Sequence, residues 1–203
     1  LPIPSVFINA SGIGYYGIAP TGVQTEASPP GTAFLASVCQ QWEQAALHAD
    51  RLGIRTVIGR FGVVLGTSGG ALPRMALPFH WGVGGTIGDG TQHLSWIHLQ
   101  DLLQILQLVL TSSSLQGAYN FTSPNPVPMC QFAAFLGKQL KKPAWTRLPG
   151  TAAKLLLGEM AEAILLADQQ VLPQRLLEAG FQFQFPDLAS ALADLYPDSK
   201  TQE

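Results

Sequence analysis

The chain has 203 residues, 47% of them hydrophobic and 12% charged, with a formal net charge of −2. That length and apolar content build a sizeable core and exclude a disordered chain. The near-neutral, slightly acidic balance argues against nucleic acid as a partner. Apolar runs are short and broken by Gly, Pro or polar residues, so no membrane-spanning helix is expected. Residues 1–10 show no basic leader of a secretory signal. Two distant cysteines, Cys39 and Cys130, lack metal spacing and suit two buried thiols in a reducing, cytoplasmic setting. No metal site is expected.

Taken in chain order, Val6–Ala10 reads as a buried parallel strand that delivers Ser11 and the Tyr15–Tyr16 pair to the C-terminal edge of a sheet, where open α/β folds bind ligands. A Pro, Gly and Thr loop follows (Ile18–Gly31). Thr32 then caps a helix whose apolar positions are Leu35, Val38, Cys39, Trp42, Ala45, Ala46 and Ala49, ending at Gly53. Arg55–Phe61 is a second buried strand, which makes a right-handed crossover unit. Gly62–Gly90 is dense in glycine and reads as a long binding loop or lid, with a short apolar segment at Ala71–Trp81.

Leu94–His98 is a short strand and Asp101–Leu110 a helix apolar on nearly all sides, hence buried. Gly117–Phe121 is a further strand and Met129–Leu140 an amphipathic helix. Beyond Pro143 short helices are predicted at Thr151–Leu157, Met160–Leu166 and Gln174–Ala179. Phe181–Phe185 alternates with period two, as a strand with one wet face does. A closing helix runs over Leu188–Tyr196.

Several of these segments together carry a family resemblance. They are Ala-Ser-Gly-Ile-Gly-Tyr-Tyr-Gly (Ala10–Gly17), the Trp42-Glu43 helix, Arg60–Gly66, the glycines of Gly82–Gly90, and Ser-Trp-Ile-His-Leu-Gln-Asp (Ser95–Asp101). Leu157–Met160, Val171–Phe181 and Phe185–Leu188 extend the set into the tail. The whole resembles the extended and atypical short-chain dehydrogenase/reductases, and more narrowly the NAD-dependent epimerase/dehydratase-like "epimerase family proteins". The resemblance implies an α/β fold: part of a Rossmann-type parallel sheet over residues 1–142, with a substrate-loop insertion, and a smaller α+β C-terminal domain over 143–203. The glycine-rich strand–turn–helix that holds the pyrophosphate in such proteins has no match here, since Gly82–Gly90 neither follows a first strand nor opens a helix. The chain is therefore expected to be the C-terminal two-thirds of such a protein, without its N-terminal nucleotide-binding half.

The resemblance also implies site residues. Ser11, Tyr15 and Tyr16 are the candidate catalytic hydroxyls. Ala10, Ser11, Gly12, Arg60, Gly62, Val63 and Val64 would line NADP or NAD, and Arg74, Gln92 and Trp96 would meet substrate. The Tyr and Lys that such reductases carry four residues apart on one helix are replaced by Leu35 and Cys39, which can neither transfer a proton nor supply a fixed charge. A tyrosine that replaces them needs a cation, and none lies near Tyr15 or Tyr16 in sequence. His98 and Asp101 read as a structural strand-to-helix hinge, with Asp101 capping or starting the helix that follows. Two functions remain open. One is an oxidoreductase or epimerase acting on a sugar-nucleotide-like or other small carbonyl or hydroxyl substrate. The other is a non-catalytic NADP(H)-binding sensor or partner-binding protein, as implied by relatives linked to cell division. Either leaves room for a homodimer.

Overall fold

The structure is a computed structural model and describes residues 3–18, 20–148 and 167–197. Its centre is a parallel sheet in the order β1-β2-β7, with β1 at Val6–Gly12, β2 at Arg55–Phe61 and β7 at Gly117–Phe121. The bounds of β2 and β7 agree with the expected ones. The strand β1 is not buried as expected: among the described residues it is an edge strand, pairing only with β2, and Phe7 is partly exposed.

Alternation along β2 sorts the two faces. Val57 and Phe61 pack with α3 (Leu99–Thr111) through Ile105 and Val109, joined by Phe121 and Leu176. Gly59 also lies on this face, where a Cβ would come within 2.4 Å of the Phe121 ring, so only glycine lets that ring cross the strand. The opposite face carries Arg60 and is covered by α1 (Phe34–Ala46). The N-cap of α1 is Ala33, not Thr32, and it makes no side-chain capping bond. The inward face of α1 is Ala36, Cys39, Glu43 and Ala46, while Trp42 is 58% exposed, so the aromatic points out and a carboxylate points in. A 3-10 segment, Leu47–Leu52, leads to Gly53, whose φ of 76° ends the helix as expected.

The glycine-rich region is not a loop. It contains β3 (Val63–Leu65), α2 (Ala71–His80) and β4 (Gly85–Ile87). Leu72, Ala76 and Phe79 of α2 are buried in a second core with Trp96, Phe132 and Leu136. The segment after it forms β5 (His93–Leu94) and β6 (Trp96–His98), and β3 pairs in parallel with β6. The helix α3 is amphipathic rather than wholly buried, with Leu103 50% and Leu110 60% exposed.

The second core is closed by β8 (Val127–Pro128), α4 (Met129–Leu140, as expected) and α6 (Leu188–Leu195). Between them β9 (Thr146–Leu148) pairs with β4, and α5 (Gln174–Glu178) packs on the sheet through Leu176. Phe181–Phe185 keeps its alternation, with both glutamines exposed, but it bends at Gln184 and pairs with no strand among the described residues. The carboxylate of Asp101 accepts the backbone N–H groups of Gln184 at 2.7 Å and Phe185 at 3.0 Å instead. The helices predicted at Thr151–Leu157 and Met160–Leu166 lie outside the described residues. Cys39 is buried, whereas Cys130 is exposed rather than packed.

Candidate functional site

Register places three polar residues in one row. Ser11 of β1 pairs with Arg60 of β2, which pairs with Asn120 of β7. Side chains at paired positions of a parallel sheet share a face, and this face is the one covered by α1. The 3-10 turn Ile13–Tyr16 that follows β1 brings the tyrosines back over the same row.

Hydrogen bonds join the row into a network. Ser11 donates its hydroxyl to Glu43 Oε1 at 2.8 Å, Arg60 donates through Nε to the same oxygen at 2.9 Å, and its Nη2 donates to Oε2 at 2.8 Å. Arg60 Nη1 donates to the Tyr16 hydroxyl at 2.9 Å, which donates in turn to Asn120 Oδ1 at 2.7 Å. All five residues are buried. Burial works against the Arg60 charge, but the hydrogen bonds of Glu43 and the contact with Tyr16 outweigh it and raise its pKa, so the guanidinium stays charged. Burial raises the Tyr16 pKa, and the opposing charge and hydrogen bond of Arg60 offset this only in part.

These contacts revise the expected site. The cation that no nearby residue supplied is Arg60, 44 positions beyond Tyr16. Its guanidinium carbon lies 3.4 Å from the centre of the Tyr15 ring, a close cation–π contact. Tyr16 is a link in a satisfied buried network, not a free acid. The Ser11 hydroxyl already donates to Glu43 and offers a ligand only lone pairs, so in this arrangement it does not donate to a carbonyl. Tyr15 is half-buried, and its hydroxyl has no hydrogen-bond partner among the described residues. It is the one of the three hydroxyls left available. The dyad positions Leu35 and Cys39 both face Gly14, where a Cβ would lie 3.6 Å from Leu35 and 3.9 Å from the Cys39 sulfur. They pack under the turn.

Of the residues expected to line a cofactor, Ala10 is exposed at the open end of β1, and a Cβ at Gly12 would meet nothing nearer than 3.8 Å. The backbone N–H groups of Gly62 and Val63 are already given to Phe121 and Ser95 carbonyls at 3.2 and 2.9 Å. On β3 the Val63 side chain packs against the second core and that of Val64 against the sheet's core, so the two turn to opposite faces.

The expected substrate contacts are less well placed. Trp96 is fully buried, and its indole N–H donates to the Asn125 carbonyl at 3.1 Å, so it belongs to the core. Gln92 is buried and donates to the Ile87 carbonyl at 2.7 Å, bracing the turn after β4. Arg74 and His80 are exposed on α2, a solvated basic pair. His98 caps α3, its Nδ1 accepting from the Gln100 N–H at 3.1 Å, and Asp101 stands in the first turn, so it starts the helix rather than capping it. Burial lowers the His98 pKa, and Asp194, whose Oδ2 lies 3.3 Å from Nε2 but is poorly aligned, compensates only in part.

Sequence reasoning missed Glu43, Asn120 and the segment 167–171. Ser95 Oγ donates to the Gln169 carbonyl at 2.7 Å and accepts the Val171 N–H at 2.9 Å. The Gln169 amide donates to the carbonyls of Ile13, at 3.1 Å, and Gly17, clamping the turn that bears the tyrosines. No group of three or more potential metal ligands occurs among the described residues, and no described helix is long and apolar enough to cross a membrane.

Comparison with known proteins adds the following. Residues 148–195 match the family model described as a domain of unknown function, DUF1731. The chloroplastic epimerase family protein SDR39U1 homolog of Arabidopsis thaliana is 43% identical over 189 residues, covering 93% of this chain and 54% of that protein. The epimerase family protein YfhF of Bacillus subtilis is 39% identical over 199 residues, covering 98% of this chain and 65% of that protein. Along almost its whole length the chain resembles epimerase family proteins. A solved structure agrees: the human epimerase family protein SDR39U1 (isoform 2) with NADPH superposes with a TM-score of 0.86 at 35% identity, covering 95% of this chain and 65% of that one. The fold is thus the expected α/β, Rossmann-like parallel sheet. The chain spans between 54% and 65% of the length of these relatives. The matches run nearly from end to end of the chain, so the expectation that an N-terminal half is missing from it is not borne out.

Proposed function

We propose that the protein is a nicotinamide-nucleotide-dependent oxidoreductase of the epimerase type, acting on a small carbonyl or hydroxyl compound of the sugar-nucleotide-like class. The observation that carries this reading is the similarity, in sequence and in fold, to the human protein solved with NADPH. In this reading the backbone at Ala10, Gly12, Gly62, Val63 and Val64 lines the nicotinamide end. The nicotinamide supplies hydride chemistry when bound. Tyr15, beside the Arg60 charge, donates its hydroxyl to the substrate oxygen, while Ser11 accepts a hydrogen bond from a ligand N–H or O–H. Glu43, Arg60, Tyr16 and Asn120 are positioning residues. We further propose that residues 143–203 form a distinct sequence unit after the Rossmann-like part, 1–142. Its described helices share both cores with that part, so it is not a separately packed body.

The test is to titrate NADPH into the full-length protein by fluorescence, then to follow cofactor oxidation across a panel of carbonyl compounds and reduction of NADP across alcohols. Binding with turnover that Tyr15→Phe abolishes is the expected result. A protein that does not bind either nicotinamide nucleotide would sink the proposal.

One observation favours a second reading, NADP(H) binding without chemistry. Two of the three expected hydroxyls are committed within a closed network, and the usual dyad positions pack against Gly14. Binding with no turnover across the whole panel would favour it.

A further inference from the structure

A second polar pair joins β5 to the segment 167–171. The backbone N–H of His93 donates to Asp168 Oδ1 at 2.8 Å, and the ring Nδ1 lies 2.9 Å from the same oxygen. The His93 backbone N–H, helped by the ring bond, holds the Asp168 carboxyl below the usual carboxylate range against a modest burial cost. A carboxylate only accepts, so the proton on the imidazole sits on Nδ1 and Nε2 keeps its lone pair. The Gln170 amide lies 3.1 Å from the same Nδ1. A charged acceptor outweighs a neutral amide, whose two ends are interchangeable by rotation, so Asp168 sets the tautomer. The imidazole is 25% exposed, so part of the ring faces solvent.

The pair is braced against the turn that carries Tyr15. The Asp168 N–H donates to the Ile18 carbonyl at 2.9 Å and the Gln169 N–H to the His93 carbonyl at 3.3 Å. The Gln169 side chain reaches Ile13 and Gly17, on either side of Tyr15. Asp89 is near enough to act on Asp168 electrostatically and is itself balanced in part by Arg147. A carboxylate on the imidazole, with a second acting on it, disfavours an anionic ligand group and suits a neutral hydroxyl.

We infer that His93, oriented by Asp168, is the proton acceptor of this crevice and takes its proton from a substrate hydroxyl. The inference rests on the oxidoreductase reading. As the alcohol is oxidised, its O–H bond breaks and the proton passes to His93 Nε2. The C–H bond breaks with its electron pair, the hydride passing to the oxidised nicotinamide nucleotide, and the C=O bond forms. The imidazolium is left beside the Asp168 carboxylate, and the reverse reaction returns both. This is the arrangement of an oriented histidine base, and it fills the role that Leu35 and Cys39 cannot. Tyr15 donates to the same substrate oxygen and takes no proton.

Long-range proton–nitrogen spectra of the labelled full-length protein test it, together with turnover. His93 should be in the Nδ1–H form and shift towards Nε2–H in Asp168→Asn. His98, whose Nδ1 accepts from Gln100, should be Nε2–H in both proteins and serves as the internal control. On any alcohol that the wild type oxidises with NADP, His93→Gln should lose at least about 100-fold in kcat. Its NADPH affinity should stay within twofold, and Asp168→Asn should lose about tenfold in kcat. If His93→Gln does not fold, the Asp168→Asn tautomer and kcat decide. An Nε2–H form of His93 in the wild type overturns the inference. So does unchanged kcat in His93→Gln, or in Asp168→Asn where that variant decides, while the wild type turns over. A wild type that binds NADPH and oxidises nothing removes the oxidoreductase reading, and the proton-acceptor role with it.

Discussion

Ser11 and Arg60 occupy the same rung of the parallel sheet, and one oxygen of Glu43 accepts a hydrogen bond from both. The rung thus couples an edge-strand hydroxyl to a buried ion pair. The Ser11 proton direction is set by the carboxylate, and the carboxylate is held in place by the bidentate guanidinium.

Breaking that ion pair from one side should be costly. Glu43→Gln or Arg60→Met leaves a buried, uncompensated charge and should each lower stability by about 3–5 kcal/mol. The double substitution should cost less than the sum of the two. Urea unfolding of all four proteins measures the coupling. Additive losses would mean that the pair is not energetically joined.

The two tyrosines should separate stability from chemistry. Tyr16→Phe strands a buried Arg60 N–H and the Asn120 oxygen, at about 1–3 kcal/mol. Tyr15→Phe removes a hydroxyl with no partner and should change stability by less than about 0.5 kcal/mol, while removing any turnover. Melting curves and rates of both variants check this, and the reverse pattern would exchange their roles.

Stability should fall in mild acid through His98. Its folded pKa is lowered, chiefly by burial, from the ordinary value of 6.5. The unfolded chain therefore takes up its proton first. The full stabilisation is present above about pH 6.5 and drains away as pH falls through the folded value. Protonation puts a hydrogen on Nδ1, which then faces the Gln100 N–H it had capped. His98→Asn keeps a capping acceptor and should flatten the slope of stability between pH 7.5 and 5, as denaturant titrations at the two pH values would read. An unchanged slope would assign the acid sensitivity elsewhere.

Asp101→Asn tests the latch on the C-terminal segment. An amide presents one acceptor and one donor to two backbone N–H groups, so one of them loses its partner. A loss of about 1–3 kcal/mol is expected, with faster hydrogen exchange at Gln184 and Phe185. Unaltered exchange there would show that the apolar contacts of Phe185 suffice.

What the sequence made legible follows from the range of the forces involved. The strands β2 and β7 and the helix α4 carry their own periodicity and came out with their observed bounds. Gly62–Gly90 misled because glycine marks both loops and tight packing: Gly84, for instance, lies where a Cβ would strike the Phe79 ring at 2.2 Å. Phe181–Phe185 has the period of a strand, but its backbone partner is a carboxylate 83 or more positions away. The hydroxyls were found because they follow a strand end. Their true partners were not, since Arg60, Glu43 and Asn120 meet them only through register and the placing of α1. Alternation along β2 did hold the one available signal: an arginine on the strand face whose other positions, Thr56 and Ile58, are buried.

The Asp101 latch also bears on the order in which the molecule can be completed during synthesis. The helix that carries this carboxylate is made more than eighty residues before the amides that satisfy it. Until they emerge, a charged group on an inward helix face must stay hydrated. That holds the core around Trp96 and Phe132 open, because Phe185 and α6 belong to the same core. The sheet and α3 can form on the ribosome, but the second core can seal only when Phe185 and α6 arrive.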